Sequence, residues 1–378
     1  MKSSLHRATQ RLVLAAALSL LAACSSSPSR PEPAALAAFS PSLPASLVWR
    51  IEVGVPAPQS VPALAGSDVA LASEDGSVLV LDADSGRPRW RARLDANIAV
   101  GTGFDGETVA VLTQDNELVA LAQGRVLWRV RLAARVFTAP LVAGGRIFVQ
   151  AGDRSLAAYD ARNGARIWTQ AARGTEPLVL QQPGVLLAVG DTLVAGMGGR
   201  LVGLNPNNGS TRWEAPVASA RGVNEIERLV DLVGPAARQQ AQVCVRAFQS
   251  AVGCVDGRRG ALGWTRPANG AVGLASDGGS VYGVESNGRV VSWKASGGDV
   301  QWQTDLLLNR GPTAPLAAGR SIAIGDSQGY VHVLAREDGK LLNRLATDGS
   351  AIVSAPLLAG NKLLALTRKG ALYAWRPE

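Results

Sequence analysis

The chain has 378 residues, 42 of them glycine and 20 proline, and no long helical apolar periodicity after residue 23, which argues against a helical bundle and for many short strands joined by tight turns. The net charge of +8 comes from scattered Lys and Arg without a dense basic run, so no nucleic-acid partner is expected. Two histidines, one of them within the first 23 residues, rule out a His-rich metal site or a paired Cys–His mechanism in the rest of the chain.

Residues 1–23 combine a basic start (Lys2, Arg7, Arg11) with the apolar run LVLAAALSLLAA, which has the length of a signal-peptide core and is short for a membrane span. Losing those three cations with the segment would take the charge from +8 to +5. The run ends in Leu21-Ala22-Ala23-Cys24, similar to a bacterial lipobox. That resemblance implies cleavage before Cys24, lipid on its sulfur and an acyl chain on the new amino group, and several acyl chains hold a protein on a bilayer far better than one. Ser25 follows, with no Asp to suggest retention in the inner membrane, so an outer-membrane location is expected. Residues 24–45 are rich in Ser and Pro and read as an extended tether without chemistry.

From residue 46 the chain repeats. Residues 76–90, GSVLVLDADSGRPRW, give the unit: an alternating strand, a turn closing at Gly86, and a strand carrying Trp90. Variants end at Trp128, Trp168, Trp213, Trp264 and Trp302, and at Asn343, which takes the Trp place. A glycine stands four residues before each: Gly86, Gly124, Gly164, Gly209, Gly260, Gly298 and Gly339. The opening LVWRIEVG looks like the Trp strand of a unit that lacks its earlier strands. The closing GALYAWRPE stops before its Trp strand, with Trp375 at the place of Leu81 and Trp293 at the same place in its own unit. The two halves complete one another. The expected fold is an all-β, eight-bladed propeller over residues 46–378, with its ring closed by the N-terminal strand and its Trp residues packing between sheets.

The turn glycines are spaced by 38, 40, 45, 51, 38 and 41 residues, so the third and fourth intervals hold insertions. They fall around residues 171–182 and 217–238, each between a Trp strand and the next blade's first strand. By repeat symmetry they emerge on one face from neighbouring blades. Leu178, Val179 and Leu180 in the first, and Ile226, Leu229 and Leu232 among Glu225, Glu227, Arg228 and Asp231 in the second, suit a protein interface of apolar anchors ringed by charge. A short helical turn over 224–232 would put Ile226 and Leu229 on one side. The other reading, open on the sequence, is that both loops fold back and bury their leucines on the propeller rim.

In lipobox, linker, eight Trp-type repeats and the NEIERLVD stretch the chain resembles the BamB family, lipoproteins of the outer-membrane β-barrel assembly machinery. The resemblance implies a non-catalytic, cofactor-free scaffold, anchored in the outer membrane and facing the periplasm. Its implied partners are the POTRA domains of the central barrel-inserting subunit, with unfolded outer-membrane proteins as further ones. The family's docking loops match the two insertions. Carried over residue by residue, Leu178 and Leu180 fall on its apolar positions and Asp231 on an acidic one, with Gln181, Glu225 and Arg228 in the same loops. Gln181 stands where an arginine is usual, and Val233 where a second aspartate is usual.

The competing classes are a pyrroloquinoline-quinone dehydrogenase and a periplasmic binding module for another partner. The first calls for a Ca²⁺ site and often adjacent disulfide-linked cysteines. No Cys-Cys pair occurs, and Asp82, Asp160 and Asp256 sit at hairpin turns, where Asp is favoured structurally. His332 reads as a half-buried strand residue. Cys244 and Cys254 lie in a hairpin whose turn centres near Gln249 and would face one another; the oxidising periplasm permits a disulfide, and the sequence leaves bridge and free thiols open.

Overall fold

Alternating apolar residues and Gly-bearing turns fold the chain into eight four-stranded antiparallel sheets, and no helix occurs among the described residues. The computed structural model describes residues 31–58, 60–171, 179–219 and 229–377. Blade 1 is β2 (Ala63–Ala65), β3 (Asp68–Ala72), β4 (Ser77–Asp82) and β5 (Pro88–Arg93). Blade 2 runs from β6 (Ile98–Phe104) to β9 (Arg125–Arg131). Blade 3 comprises β10 (Leu141–Ala143), β11 (Arg146–Gln150), β12 (Leu156–Asp160) and β13 (Arg166–Gln170). Blade 4 runs from β14 (Leu186–Val189) to β17 (Thr211–Pro216). In blade 5, β18 (Leu232–Gln239) and β19 (Gln242–Ala247) lead to β20 (Ala251–Asp256) and β21 (Leu262–Pro267). Blade 6 runs from β22 (Ala275–Ser276) to β25 (Val300–Thr304). Blade 7 is β26 (Leu316–Ala318), β27 (Ser321–Gly325), β28 (Tyr330–Ala335) and β29 (Leu341–Ala346). Blade 8 takes β30 (Leu357–Ala359), β31 (Lys362–Leu366) and β32 (Ala371–Pro377) from one end of the chain and β1 (Ala45–Glu52) from the other. The pairing Trp49↔Ala374 closes the ring in the same register as Val80↔Trp90.

The second and third strands of each blade carry most of the fully buried residues, while the Trp strands set exposed residues against half-buried or buried ones, Trp168 and Trp264 being 8% and 7% exposed. Each ladder Trp faces a residue on the third strand of its own sheet (Ala120 for Trp128, Gly203 for Trp213). Five reach a carbonyl of the next blade, whereas the Trp213 Nε1 is buried beside Gly203 without a hydrogen-bond partner among the described residues. Indole N–H groups donate to carbonyls three residues ahead of the neighbour's turn glycine: Trp49 to Ala83 at 3.1 Å, Trp128 to Ala161 at 2.9 Å, Trp168 to Pro206 at 2.9 Å, Trp264 to Ala295 at 2.8 Å and Trp302 to Arg336 at 2.7 Å. The turn glycine is required by this contact. At Gly209, with φ +72°, a Cβ would lie 2.6 Å from the Trp168 ring. The aspartates of the same turns are structural: Asp160 accepts the Arg162 and Asn163 N–H groups, and Asp256 those of Arg258 and Arg259.

The folded unit begins earlier than residue 46. It starts at Ala34, and residues 34–44, read from composition as free tether, pack on blade 7. Ala34 N–H donates to Leu308 O, Ser42 N–H to Leu342 O, and the Asn343 side chain to Leu43 O. Two arginines complete the seat. Arg310 donates to Ala34 O at 2.9 Å, and Arg344 donates to Ala37 O while lying 4.9 Å over the Phe39 ring.

His332 is fully buried, not half-buried, because the alternation of β28 turns it toward Asp326, 2.9 Å away. Cys244 and Cys254 stand directly opposite in β19 and β20 and are joined as a disulfide. Its loop is short. Replacing both by Ala is expected to lower stability by about 2 kcal/mol in denaturant melts, and two alkylatable thiols at these positions in the unfolded, unreduced protein would show the bridge absent.

Candidate functional site

The two widened connections leave the ring between blades 3 and 4 and between blades 4 and 5, and they meet. The second is shorter than its sequence suggested, because β18 begins at Leu232 and not after Arg238. Leu232 and Val233 are therefore buried strand residues, 3% and 2% exposed, and Val233 pairs with Arg246. Val233, which stands where the resembled family usually has a second aspartate, thus faces the core. Ladder pairing skips between Val233 and Ala237, and this bulge accommodates Pro235 inside a strand.

Asp231, the last residue before that strand, organises the junction. Its Oδ2 accepts the Leu180 N–H at 2.9 Å, and its Oδ1 lies 3.1 Å from Nη2 and 3.3 Å from Nε of Arg154. Both charges are largely withdrawn from water, with the Arg154 and Asp231 side chains 9% and 13% exposed. The Asp231 carbonyl in turn accepts the Phe248 N–H. Arg154 comes from the β11–β12 turn, with φ 65°, and nothing in its local sequence marks it. Further struts fix the base of the first loop: Gly184 N–H donates to Thr138 Oγ1 at 2.9 Å, and Gly234 N–H to Pro183 O at 2.9 Å. A cavity of about 40 Å³, large enough for a water, lies between Phe137, Val179, Leu180 and the Arg154–Asp231 pair.

The expected residues thus divide. Leu180 is half-buried against this junction, Gln181 is exposed beside it, and Asp231 holds the loops together instead of standing out as a free charge. Leu178, Glu225 and Arg228, the 224–228 part of the expected helical turn, and Cys24 lie outside the described residues. The reading in which the leucines fold back onto the rim holds for Leu232 and partly for Leu180. Among the described residues, no group of three His, Cys, Asp or Glu is placed to hold a metal ion.

A closed Trp-ladder ring with two braced connections on one face belongs to the quinoprotein-like class of eight-bladed propellers. A family model described as outer membrane protein assembly factor BamB matches residues 37–100, 74–304 and 297–376. Relatives named outer membrane protein assembly factor BamB include those of Burkholderia pseudomallei, 35% identical over 99% of both chains, and Bordetella pertussis, 34% identical over 98% of this chain and 97% of that one. The chain belongs to the BamB family of outer membrane protein assembly factors. The crystal structure of BamB from Moraxella catarrhalis superposes with a TM-score of 0.80 at 24% identity, covering 88% of this chain and 99% of that one. A quinohemoprotein alcohol dehydrogenase from Pseudomonas putida shares the ring with a TM-score of 0.67 at 13% identity, over 88% of this chain and 76% of that one. That likeness is one of fold.

Proposed function

We propose that this chain is a non-catalytic scaffold, held on the periplasmic face of the outer membrane by lipid on Cys24, that docks onto the POTRA domains of the central barrel-inserting subunit. The observation that carries the reading is the meeting of the two insertions at Asp231, in a chain of this family. A rigid ring holds the described ends of the two loops, residues 179–184 and 229–231, at a constant separation, and a separation set before binding lowers the conformational entropy lost on docking. The Leu180 side chain supplies apolar contact and Gln181 an adaptable amide beside it, with Leu178, Glu225 and Arg228 in the same two loops. Gln181 in the arginine's place makes this docking less dependent on charge and therefore less sensitive to salt.

The test is recovery of the barrel-inserting subunit from envelope extract by the tagged full chain, compared with Leu180→Ala. Wild type recovers the subunit, and the variant, folded by circular dichroism, binds about tenfold more weakly, the loss of an apolar anchor that belongs to the energetic minority of an interface. Equal recovery by both moves the interface away from these loops; no recovery by either removes the docking partner. A mature N-terminus at any residue other than Cys24, read by mass spectrometry, removes the lipid anchor.

A further inference from the structure

Blade 7 carries Asn343 where the other blades carry the ladder Trp, in the same register, opposite Val333 as Trp90 is opposite Val80. In six of the other seams the indole lies over the next blade's turn glycine, close enough that a Cβ at Gly86, Gly164, Gly209, Gly260, Gly298 or Gly339 would clash with the ring. Blade 8 has no such turn. Its third strand is β32 and its fourth is β1, which arrives from the other end of the chain. Pro377 stands at the place of Ala83, the residue whose carbonyl accepts the Trp49 N–H. Residues 42–45 enter where the turn would be, and the Asn343 amide is spent on Leu43 O at 2.8 Å. Asn343 is too short to fill the space behind that contact.

What opens there is a cavity of about 350 Å³ between blades 7 and 8, walled by Leu43, Val333, Leu345, Leu363, Trp375 and Pro377. Its walls are mainly hydrocarbon. Of the polar side chains that line it, Asn343 donates to Leu43 O and Ser321 Oγ to Ala318 O at 3.0 Å, while Arg320 and Asn361 belong to the β26–β27 and β30–β31 turns. Hairpins β26–β27 and β30–β31 form its mouth, so it opens on the face opposite the two docking loops.

We propose that this seam is a binding site for a small planar aromatic ligand of indole size. The ring's own symmetry specifies the shape, since at the equivalent place in the other seams a flat bicyclic side chain lies between the same two strands and the neighbouring blade. Apolar cavities in otherwise close-packed proteins take up small aromatic molecules of matching shape, because the walls gain contacts that water does not supply. The volume lies at the lower end of ordinary small-ligand sites. The site is independent of the docking loops, and a ligand there leaves partner recovery unchanged.

Calorimetric titration of the purified protein with indole tests this, with hexanol as an apolar but non-planar control and a short Trp-containing peptide as a third arm. Indole is expected to bind one site with a Kd of about 0.1–1 mM, at least about tenfold tighter than hexanol. Asn343→Trp, which supplies the missing indole covalently, abolishes the binding. Should that variant not fold, Ala318→Leu narrows the same cavity from blade 7's first strand and weakens binding about tenfold or more. Unchanged indole affinity in a folded Asn343→Trp or in Ala318→Leu overturns the assignment, as does equal affinity for hexanol. Binding of the peptide without binding of indole also overturns it and makes the seam a protein-docking groove.

Discussion

Asp231→Ala is expected to lower stability by about 2–3 kcal/mol and to loosen the junction of the two connections, although Asp231 lies at the end of a surface connection. The magnitude follows from what the substitution leaves behind. The Arg154 guanidinium, largely withdrawn from water, loses its carboxylate, and the Leu180 N–H loses its acceptor. Removing the carboxylate takes from the guanidinium a charge that offsets part of its desolvation and leaves a backbone donor unmet, and together these cost more than the intact contacts contribute. Asp231→Asn separates the two parts, since its amide oxygen still accepts from Leu180 while the charge is gone, and it falls between wild type and alanine. The double variant Arg154→Ala, Asp231→Ala is expected to be less damaging than the sum of the single ones by about 1–3 kcal/mol. Denaturant melts measure the first quantity, and proteolysis between β13 and β14 measures the loosening. Stability within about 0.5 kcal/mol of wild type in Asp231→Ala would show that the junction is not braced here.

This changes how binding data on such a variant are read. Loss of partner recovery in Asp231→Ala reports the collapse of the loop arrangement as much as the loss of an acidic contact, because truncation costs include reorganisation of the free protein. Leu180→Ala, which leaves the Asp231 carboxylate and its backbone donor in place, is the cleaner probe of the surface.

The ring was legible because its determinants are local and repeated. A glycine four residues before a Trp states both the positive-φ turn and the ring that lies over a neighbouring turn, and the 45- and 51-residue intervals mark where extra chain leaves the blades. The seating of residues 34–44 was not legible, because it depends on backbone carbonyls of a Ser/Pro-rich segment meeting Arg310, 276 residues away. Leu232 and Val233 read as loop because Gly234-Pro235 follows them, yet a bulge carries the strand past the proline. Asn343 was visible as an irregularity in the repeat. The cavity behind it becomes evident only when the missing turn of blade 8 and the path of residues 42–45 are seen together. Asp231 was recognised as important, but its role was not, since its charged partner Arg154 lies in another blade's hairpin.

Substitution of Asp326 is expected to be the other severe lesion, with a pH signature of its own. Arg310, Asp326 and His332 are 2%, 0% and 1% exposed. Asp326 Oδ2 receives Arg310 Nε at 2.8 Å and Nη2 at 2.7 Å, together with His332 Nε2 at 2.9 Å. Burial pushes the Asp326 carboxyl up, but the hydrogen bonds from His332, the Tyr330 N–H and Arg310 outweigh it and hold the group below the ordinary carboxylate range. Burial pushes His332 down, opposed by the Asp326 hydrogen bond and charge and assisted by the positive charges of Arg310 and Arg344. His332 is therefore neutral near pH 7 and donates through Nε2–H, while Arg310 supplies the balancing charge. Asp326→Ala strands that guanidinium and is expected to cost about 3–5 kcal/mol, with residues 34–44 loosened because the same arginine holds Ala34 O. Both titrations act in one direction. A group whose folded pKa is depressed contributes stability above its unfolded value and loses it on acidification, so His332 begins to cost stability as the pH falls below its ordinary 6.5, and Asp326 follows below its ordinary 3.8. The slope in the first window is at most about 1.4 kcal/mol per pH unit. His332→Gln keeps an N–H for Asp326 and removes the proton uptake, so its stability between pH 6.5 and 5 is expected to be flatter than that of wild type. Superimposable profiles of the two proteins across that interval would assign the acid sensitivity to other groups.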